Sequence, residues 1–297
     1  MNFVQRLGSK LGLAGDEDPT KEISQILPVS EEPASCDPSQ CINTYNTSCF
    51  KLKSQDITAP LWESAKPFDF HILVSTGDHD WPHDAFDQPK TVLQSISRFD
   101  YSKYGTAKLN VTSLPIPLTD SEYTKSQKAD ILIMPYFVWV RGVTRTNCNE
   151  VLNTVLESLV AEQPKFSDLP PEIDGAKLEK DIFRSYIFLC SHRTRDKRCG
   201  KTAPIMKKEF EAQLRDLGYY RDFGDSRPSG VCVAYVNHVG GHKFAANVLI
   251  YNKGGEFAWF ARCSPLNVEP ILHETVLQGK VFPEISRTVK KYNAVSW

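Results

Sequence analysis

At 297 residues and 41% hydrophobic content, the chain can bury a sizeable core, and its length alone suggests about two domains. A net charge of -1 leaves no general basic excess for nucleic acid or a membrane surface, so any electrostatic steering must be local. No stretch has the roughly 18 consecutive apolar residues of a transmembrane helix. The N-terminus MNFVQRLGSKLGLAG lacks the apolar core of a secretory signal, so a cytoplasmic protein is expected. The alternative location is mitochondrial, because Arg6 and Lys10 precede the first acid, Asp16. In either place, eight cysteines point to metal or redox chemistry over a disulfide framework.

In chain order, residues 1–65 carry acids, prolines and serines without sustained periodicity, and a mobile or loop-rich segment is expected there. An N-terminal α/β domain is expected over 66–163. FDFHILVSTG (68–77) has the apolar run of a buried strand stopped by Gly77, TVLQSISRF (91–99) reads as a helix, and ADILIMPYFVWV (129–140) as a strand region. NEVLNTVLESLVAE (149–162) places Val151, Leu152, Val155, Leu159 and Val160 on one helical face. Pro164, Pro170 and Pro171 then break the periodicity, so a linker is expected over 164–175.

The remaining stretch, 176–297, repeats the alternation. RSYIFLC (184–190) reads as a strand and APIMKKEFEAQLRDLG (203–218) as a helix, with Met206, Phe210, Leu214 and Leu217 on one face and Gly218 at its stop. GVCVAYV, AANVLIY and EFAWFAR are three further strands, and VEPILHETVLQG (268–279) closes with a helix. This β-α-β-β-β-α order predicts a thioredoxin-like domain, preceded by a second α/β domain for which a degenerate thioredoxin-like copy is one reading.

The chemistry-bearing residues fall on this frame. In FLCSHRTRDKRCGK, Cys190 is expected where a strand runs out and Cys199 at the far end of the following loop, just before the helix. In YVNHVGGHKF, Gly240 and Gly241 let the backbone turn tightly enough for His238 and His242 to face one side. Two thiolates and two imidazoles can hold zinc, although C-x8-C is wide for a zinc knuckle. They also suit a 2Fe-2S centre, where two histidines on one iron raise the potential. A thiol–disulfide oxidoreductase using Cys190 and Cys199 is a third reading, without the close C-x-x-C that such enzymes present.

The combination of CSHRTRDKRCG with HVGGH, and VSTGDHDWP in the first unit, resembles the sucrase/ferredoxin-like family over most of the chain. The resemblance implies a thioredoxin-like ferredoxin whose 2Fe-2S cluster is held by Cys190, Cys199, His238 and His242. It implies an electron carrier more than an enzyme with its own substrate. A bound imidazole keeps a second ring nitrogen that can gain or lose a proton, so proton-coupled electron transfer is expected.

Neighbouring residues carry weaker readings. Arg193, Arg195, Lys197, Arg198 and Lys201 read as a solvated face or, around a cluster, as a guide for an acidic redox partner. His192 reads as a solvated loop residue, with ligation or hydrogen bonding to the cluster as the alternative. Cys232 and Cys263 read as core. His79 and His83 repeat the H-x3-H spacing but read as a structured turn around Trp81 and Pro82. Cys36, Cys41 and Cys49 read as loop cysteines, with zinc or a second cluster as the alternative. Trp297, the last residue, resembles the tryptophan-ended tails recognised by the cytosolic iron-sulfur assembly targeting complex. Neither nucleic acid nor a membrane is an expected partner.

Overall fold

Runs of β-branched and aromatic residues become strands here because both faces of the sheet are covered. The computed structural model describes residues 18–51, 59–161, 164–241 and 243–295. Among them, eleven strands form one mixed sheet. Phe70–Ser75 (β1) is buried at every position and pairs parallel with Ala107–Thr112 (β2). On its other side β1 pairs antiparallel with Lys128–Met134 (β3). The strand region expected over 129–140 is a hairpin of two strands, β3 and Val138–Thr144 (β4). Pro135 cannot donate to a ladder, and Phe137 takes a positive φ of 54°, so the chain turns between them.

The stretch expected as a linker contains a short strand, Glu172–Ile173 (β5), and leads directly into Ala176–Lys180 (β6). β6 pairs with β4, so the sheet around β1 extends through residue 180. The next strands, Ser185–Cys190 (β7), Val231–Val236 (β8), Val248–Asn252 (β9), Glu256–Phe260 (β10) and Ser286–Lys291 (β11), complete it. β7 is parallel to β8 and antiparallel to β9, which is followed outward by β10 and β11.

The two parts of the sheet share one strand pattern. Outward from the seam, the order is β2-β1-β3-β4 on one side and β8-β7-β9-β10 on the other. They meet through the antiparallel pair Thr112↔Val236. Ser113 N–H donates to the Tyr235 carbonyl at 3.0 Å and Asn237 N–H to the Val111 carbonyl at 3.1 Å, an exchange symmetric about that pair.

Alternation along the strands fills two layers. Ile72, Val74, Ile131, Ile133, Ile187 and Leu189 pack with the helical faces of Cys148–Leu159 (α1) and Lys197–Asp216 (α2). Leu73, Leu132, Tyr186, Phe188, Leu249 and Trp259 form the other layer, which also contains Cys190 and Cys199. α2 begins at Lys197, earlier than the expected start at Ala203, because the Asp196 carboxylate accepts from Arg198 N–H at 2.9 Å and caps it there. Cys199 therefore lies inside the first turn of the helix, not before it. Pro204 is absorbed within the helix, where it removes one backbone hydrogen bond.

The N-terminal segment is loop-rich and anchored on the β7–β11 part of the molecule. Val29 bridges to Val281, and Cys36 N–H donates to the Leu266 carbonyl at 2.8 Å. Glu209, fully buried on α2, accepts from Ile42 N–H at 2.7 Å, Asn43 N–H at 3.3 Å, the Asn43 side chain at 3.0 Å and the Tyr45 hydroxyl. One carboxylate thus holds residues 42–45 against the helix. Among the described residues, no helix is long and apolar enough to cross a membrane.

Candidate functional site

The end of β7, the first turn of α2 and the loop after β8 converge at one point. Cys190 closes β7 and Cys199 sits in the first turn of α2, each 1% exposed. Their sulfurs are within hydrogen-bond reach of each other, and the His238 side chain also bonds to Cys190. The main chain adds donors: Val239 N–H points to Cys190 and Ala246 N–H to Cys199. The Cys199 thiol, His238 and Val239 N–H together draw the Cys190 thiol down to about 5, against its burial. Cys199, donating to Cys190 and buried, is pushed far up and keeps its proton. A helix N-terminus with two inward N–H groups suits sulfur in its anionic form.

The sequence-predicted residues are brought together in part. Cys190, Cys199 and His238 meet, whereas His242 lies outside the described residues, as does Trp297. Among the described residues, no three His, Cys, Asp or Glu side chains form a ready metal-holding group. Cys36 and Cys41 hydrogen-bond to each other through their thiols, while the Cys49 thiol reaches the Asn46 carbonyl at 3.9 Å. Cys232 and Cys263 are core residues, 6% and 1% exposed.

His192 differs from the solvated residue expected of it. It is buried, its Nε2 donates to the Trp81 carbonyl at 2.9 Å, and its Nδ1 accepts from His238 N–H at 3.1 Å. With both ring nitrogens engaged, it is a strut that fixes where the His238 backbone begins its turn. Desolvation holds its pKa below the usual value, consistent with that neutral tautomer.

The turn around His79 and His83 is the other side of this brace. Ser191 Oγ donates to the His79 carbonyl at 2.7 Å, Asp80 accepts from Thr194 N–H at 3.1 Å and from its hydroxyl at 2.9 Å, and Arg195 Nε donates to the His83 carbonyl at 2.6 Å. The two histidines thus serve through their main-chain carbonyls. Part of the basic run is structural for the same reason, Arg198 being paired with Asp196 at 2.9 Å. Arg193, Lys197 and Lys201 remain exposed.

Four side chains that carried no signal in the motif reading hold the His238 turn. Asn110 donates to the His238 carbonyl at 3.4 Å, Lys108 Nζ to Val239 at 3.0 Å and Arg287 Nη1 to Gly240 at 3.0 Å. Asn237 accepts from Asn110 and so fixes the residue before the histidine. Gly241 has φ +78°, and a Cβ there would lie 2.5 Å from Arg287 Nη2, so only glycine permits this close approach. The available sequence clue was the period-2 placement of Lys108, Asn110 and Thr112 on one side of β2.

The donor set fits a thiolate-ligated prosthetic group: two inward cysteines, an imidazole and main-chain N–H groups aimed at sulfur. Comparison with known proteins gives the same neighbourhood a family. Residues 61–288 match the model of the sucrase/ferredoxin-like family. The chain is 36% identical to actin patches distal protein 1 of Saccharomyces cerevisiae over 99% of its own length and 98% of that protein's. It is 37% identical to altered inheritance of mitochondria protein 32 of Debaryomyces hansenii, over 37% of each chain. The Clavispora lusitaniae protein of the same name is 33% identical over 37% of this chain and 36% of its own. No solved structure matches.

Proposed function

The chain belongs to the sucrase/ferredoxin-like family, and on that footing we propose that it is an electron-transfer protein carrying a 2Fe-2S cluster on Cys190, Cys199, His238 and His242. The observation that carries this reading is the meeting of two buried thiols and the His238 imidazole where main-chain N–H groups favour anionic sulfur. When bound, such a cluster supplies a one-electron acceptor and donor. The chain's own residues do the rest. Cys190 and Cys199 provide negative ligands, His192 and Asn110 orient the His238 peptide, and the surrounding aromatic layer excludes water. Exposed Arg193, Lys197 and Lys201 beside the site suit an acidic redox partner, and electrostatic steering would act there.

Thioredoxin-like architecture is part of the same reading, supported by the repeated strand order on either side of the seam. A thiol–disulfide oxidoreductase is the second reading, favoured by the lowered pKa of Cys190 beside Cys199. It ranks below because both sulfurs are enclosed, whereas an exchanging thiolate must be reached by its partner.

The test is anaerobic purification followed by iron and acid-labile sulfide analysis, absorption spectroscopy and electron paramagnetic resonance after reduction. Two irons and two sulfides per chain with visible charge-transfer bands are expected. A colourless protein with one zinc, or with no metal and thiol-exchange activity, would replace the cluster by one of the other readings.

A further inference from the structure

Two cations lie against the site without a carboxylate to balance them. Arg287 is 1% exposed, and its guanidinium donates to the Gly240 and Ser64 carbonyls, the Ser64 hydroxyl and the Asn247 side-chain oxygen, all neutral acceptors. Lys108 is only partly covered as a residue, but its ammonium end is enclosed and donates to the Val239 carbonyl at 3.0 Å. Both stand 4.7 Å from the centre of the Trp259 ring. Among the described residues, neither forms an ion pair.

Enclosing two like charges near one site is strongly unfavourable unless something anionic answers them. Burial brings Lys108 down to about 8, with Arg287 adding to the effect, and burial brings Arg287 down to about 10. On both groups the opposing charge is that of Cys190. The aromatic ring offers its negative face to both, which offsets part of the cost. The rest must come from the site itself.

We propose that Lys108 and Arg287 are the built-in counter-charge of an anionic group held at Cys190 and Cys199, and that they set its reduction potential by favouring the form with one more electron. This rests on the cluster reading and adds residues to it. Neither cation touches the reacting atoms. They act through space and through the Val239 and Gly240 carbonyls, and Lys108 is supplied by β2, across the seam from the cysteines.

The experiment uses full-length holoprotein, with iron and sulfide measured in the wild type first. Direct electrochemistry at one fixed neutral pH then compares wild type, Lys108→Met and Lys108→Arg. Lys108→Met is expected to shift the equilibrium at least tenfold towards the oxidised form, a fall of about 59 mV for a one-electron couple. Lys108→Arg keeps the charge and is expected to stay within threefold of wild type. Asn247→Asp, which sets a carboxylate against Arg287 with little change of shape, is expected to lower the potential in the same direction and covers the case in which Lys108→Met does not fold. Apoprotein thermal stability gives a second readout: Lys108→Met should not lower it, since the one Cys190 thiolate leaves one of the two cations unanswered. A wild-type protein without a cluster overturns the reading beneath this inference. A cluster whose potential is the same in Lys108→Met and Asn247→Asp overturns the inference alone.

Discussion

Set against each other across the seam, the β1–β4 and β7–β10 regions share a strand order but differ at the positions where chemistry is done. Ser75 ends β1 opposite Thr112, as Cys190 ends β7 opposite Val236. Counting outward from the symmetric pair Thr112↔Val236, Leu114 stands where His238 stands. A buried hydroxyl and a buried leucine thus occupy the places of a thiolate and an imidazole. The difference runs the other way on the strand behind. Lys108 and Asn110 of β2 correspond to Cys232 and Ala234 of β8, so polar groups lie on the side without thiols. One region carries the proposed ligand positions, and the other presents the groups that hold the His238 turn and that we propose as its counter-charge.

Breaking the ligand side should have the largest effect. Cys190→Ser combined with Cys199→Ser is expected to abolish cluster absorbance and iron content, since a neutral hydroxyl is a poor substitute for thiolate on iron. A normal visible spectrum in that double variant would falsify the assignment.

The anchoring of residues 42–45 belongs to the cysteine-bearing side and should be the next strongest lever. Glu209→Ala leaves the Ile42 and Asn43 N–H groups and the Tyr45 hydroxyl without their acceptor, an expected loss of roughly 2–4 kcal/mol in denaturant titrations. Limited proteolysis near residue 42 should accelerate in parallel. Although burial opposes it, the donors from Tyr45, Asn43, Gln213 and Ile42 hold the Glu209 pKa below its usual 4.5. The carboxylate's contribution is therefore complete above the ordinary carboxylate range and is lost as pH falls through the lowered folded value. A gap between wild type and Glu209→Ala that is full at neutral pH and narrows as pH falls through the lowered folded value is the expected pattern.

At the seam, a buried relay joins the two regions and should respond to milder acid. His71 Nδ1 and the Tyr251 hydroxyl are 2.8 Å apart, His71 Nε2 and Asn110 Oδ1 2.9 Å, and Asn110 in turn bonds Asn237 and the His238 carbonyl. Burial, with Lys108 nearby, holds the His71 pKa well below its usual 6.5. The unfolded chain then binds the proton first, so stability falls as pH drops below ~6.5, by up to about 1.4 kcal/mol per pH unit for this group. His192, also lowered, adds to the same slope. His71→Gln should flatten the pH dependence of the unfolding midpoint between pH 5 and 6.5 without erasing it, and an unchanged slope would exclude His71 as its source.

Legibility in the sequence tracked how local each signal was. The strand ending at Cys190 and the helix carrying Phe210 and Leu214 follow from short-range periodicity, and both are present. β2 was missed because Lys108, Asn110 and Thr112 give it a polar face that only a neighbouring strand and the His238 turn make sense of. Glu209 was hidden for a similar reason: on the helix it looks like an ordinary surface acid, and the residues it anchors, 42–45, lie more than 160 positions away. His192 between the cysteines looked solvated because the segment that covers it, around Trp81, is over a hundred residues upstream. The cysteines and His238 were readable as residue types at a spacing; the groups that orient them were not, since Lys108 and Asn110 arrive from β2 and Arg287 from β11, far away in sequence.

The smallest effect should come from the silent side of the comparison. Ser75 is 3% exposed, and its hydroxyl has no hydrogen-bond partner among the described residues, a mild cost left in place at the position matching Cys190. Replacing it by alanine removes the unsatisfied oxygen and leaves a void about the size of one atom. The two terms nearly cancel, so Ser75→Ala is expected to change stability by less than about 1 kcal/mol, with stabilisation the favoured sign. Cluster content and potential should be unchanged, because Ser75 ends the strand on the far side of β2 from the thiols. Ser75→Cys combined with Leu114→His restores the two residue types and should still bind no second cluster. The segment between β1 and the next helix, TGDHDWPHDAFDQPKT, supplies no cysteine to act as Cys199 does. Additional iron in that double variant would show that the β1–β4 region retains a complete ligand frame, and the two regions would then differ by side chains alone.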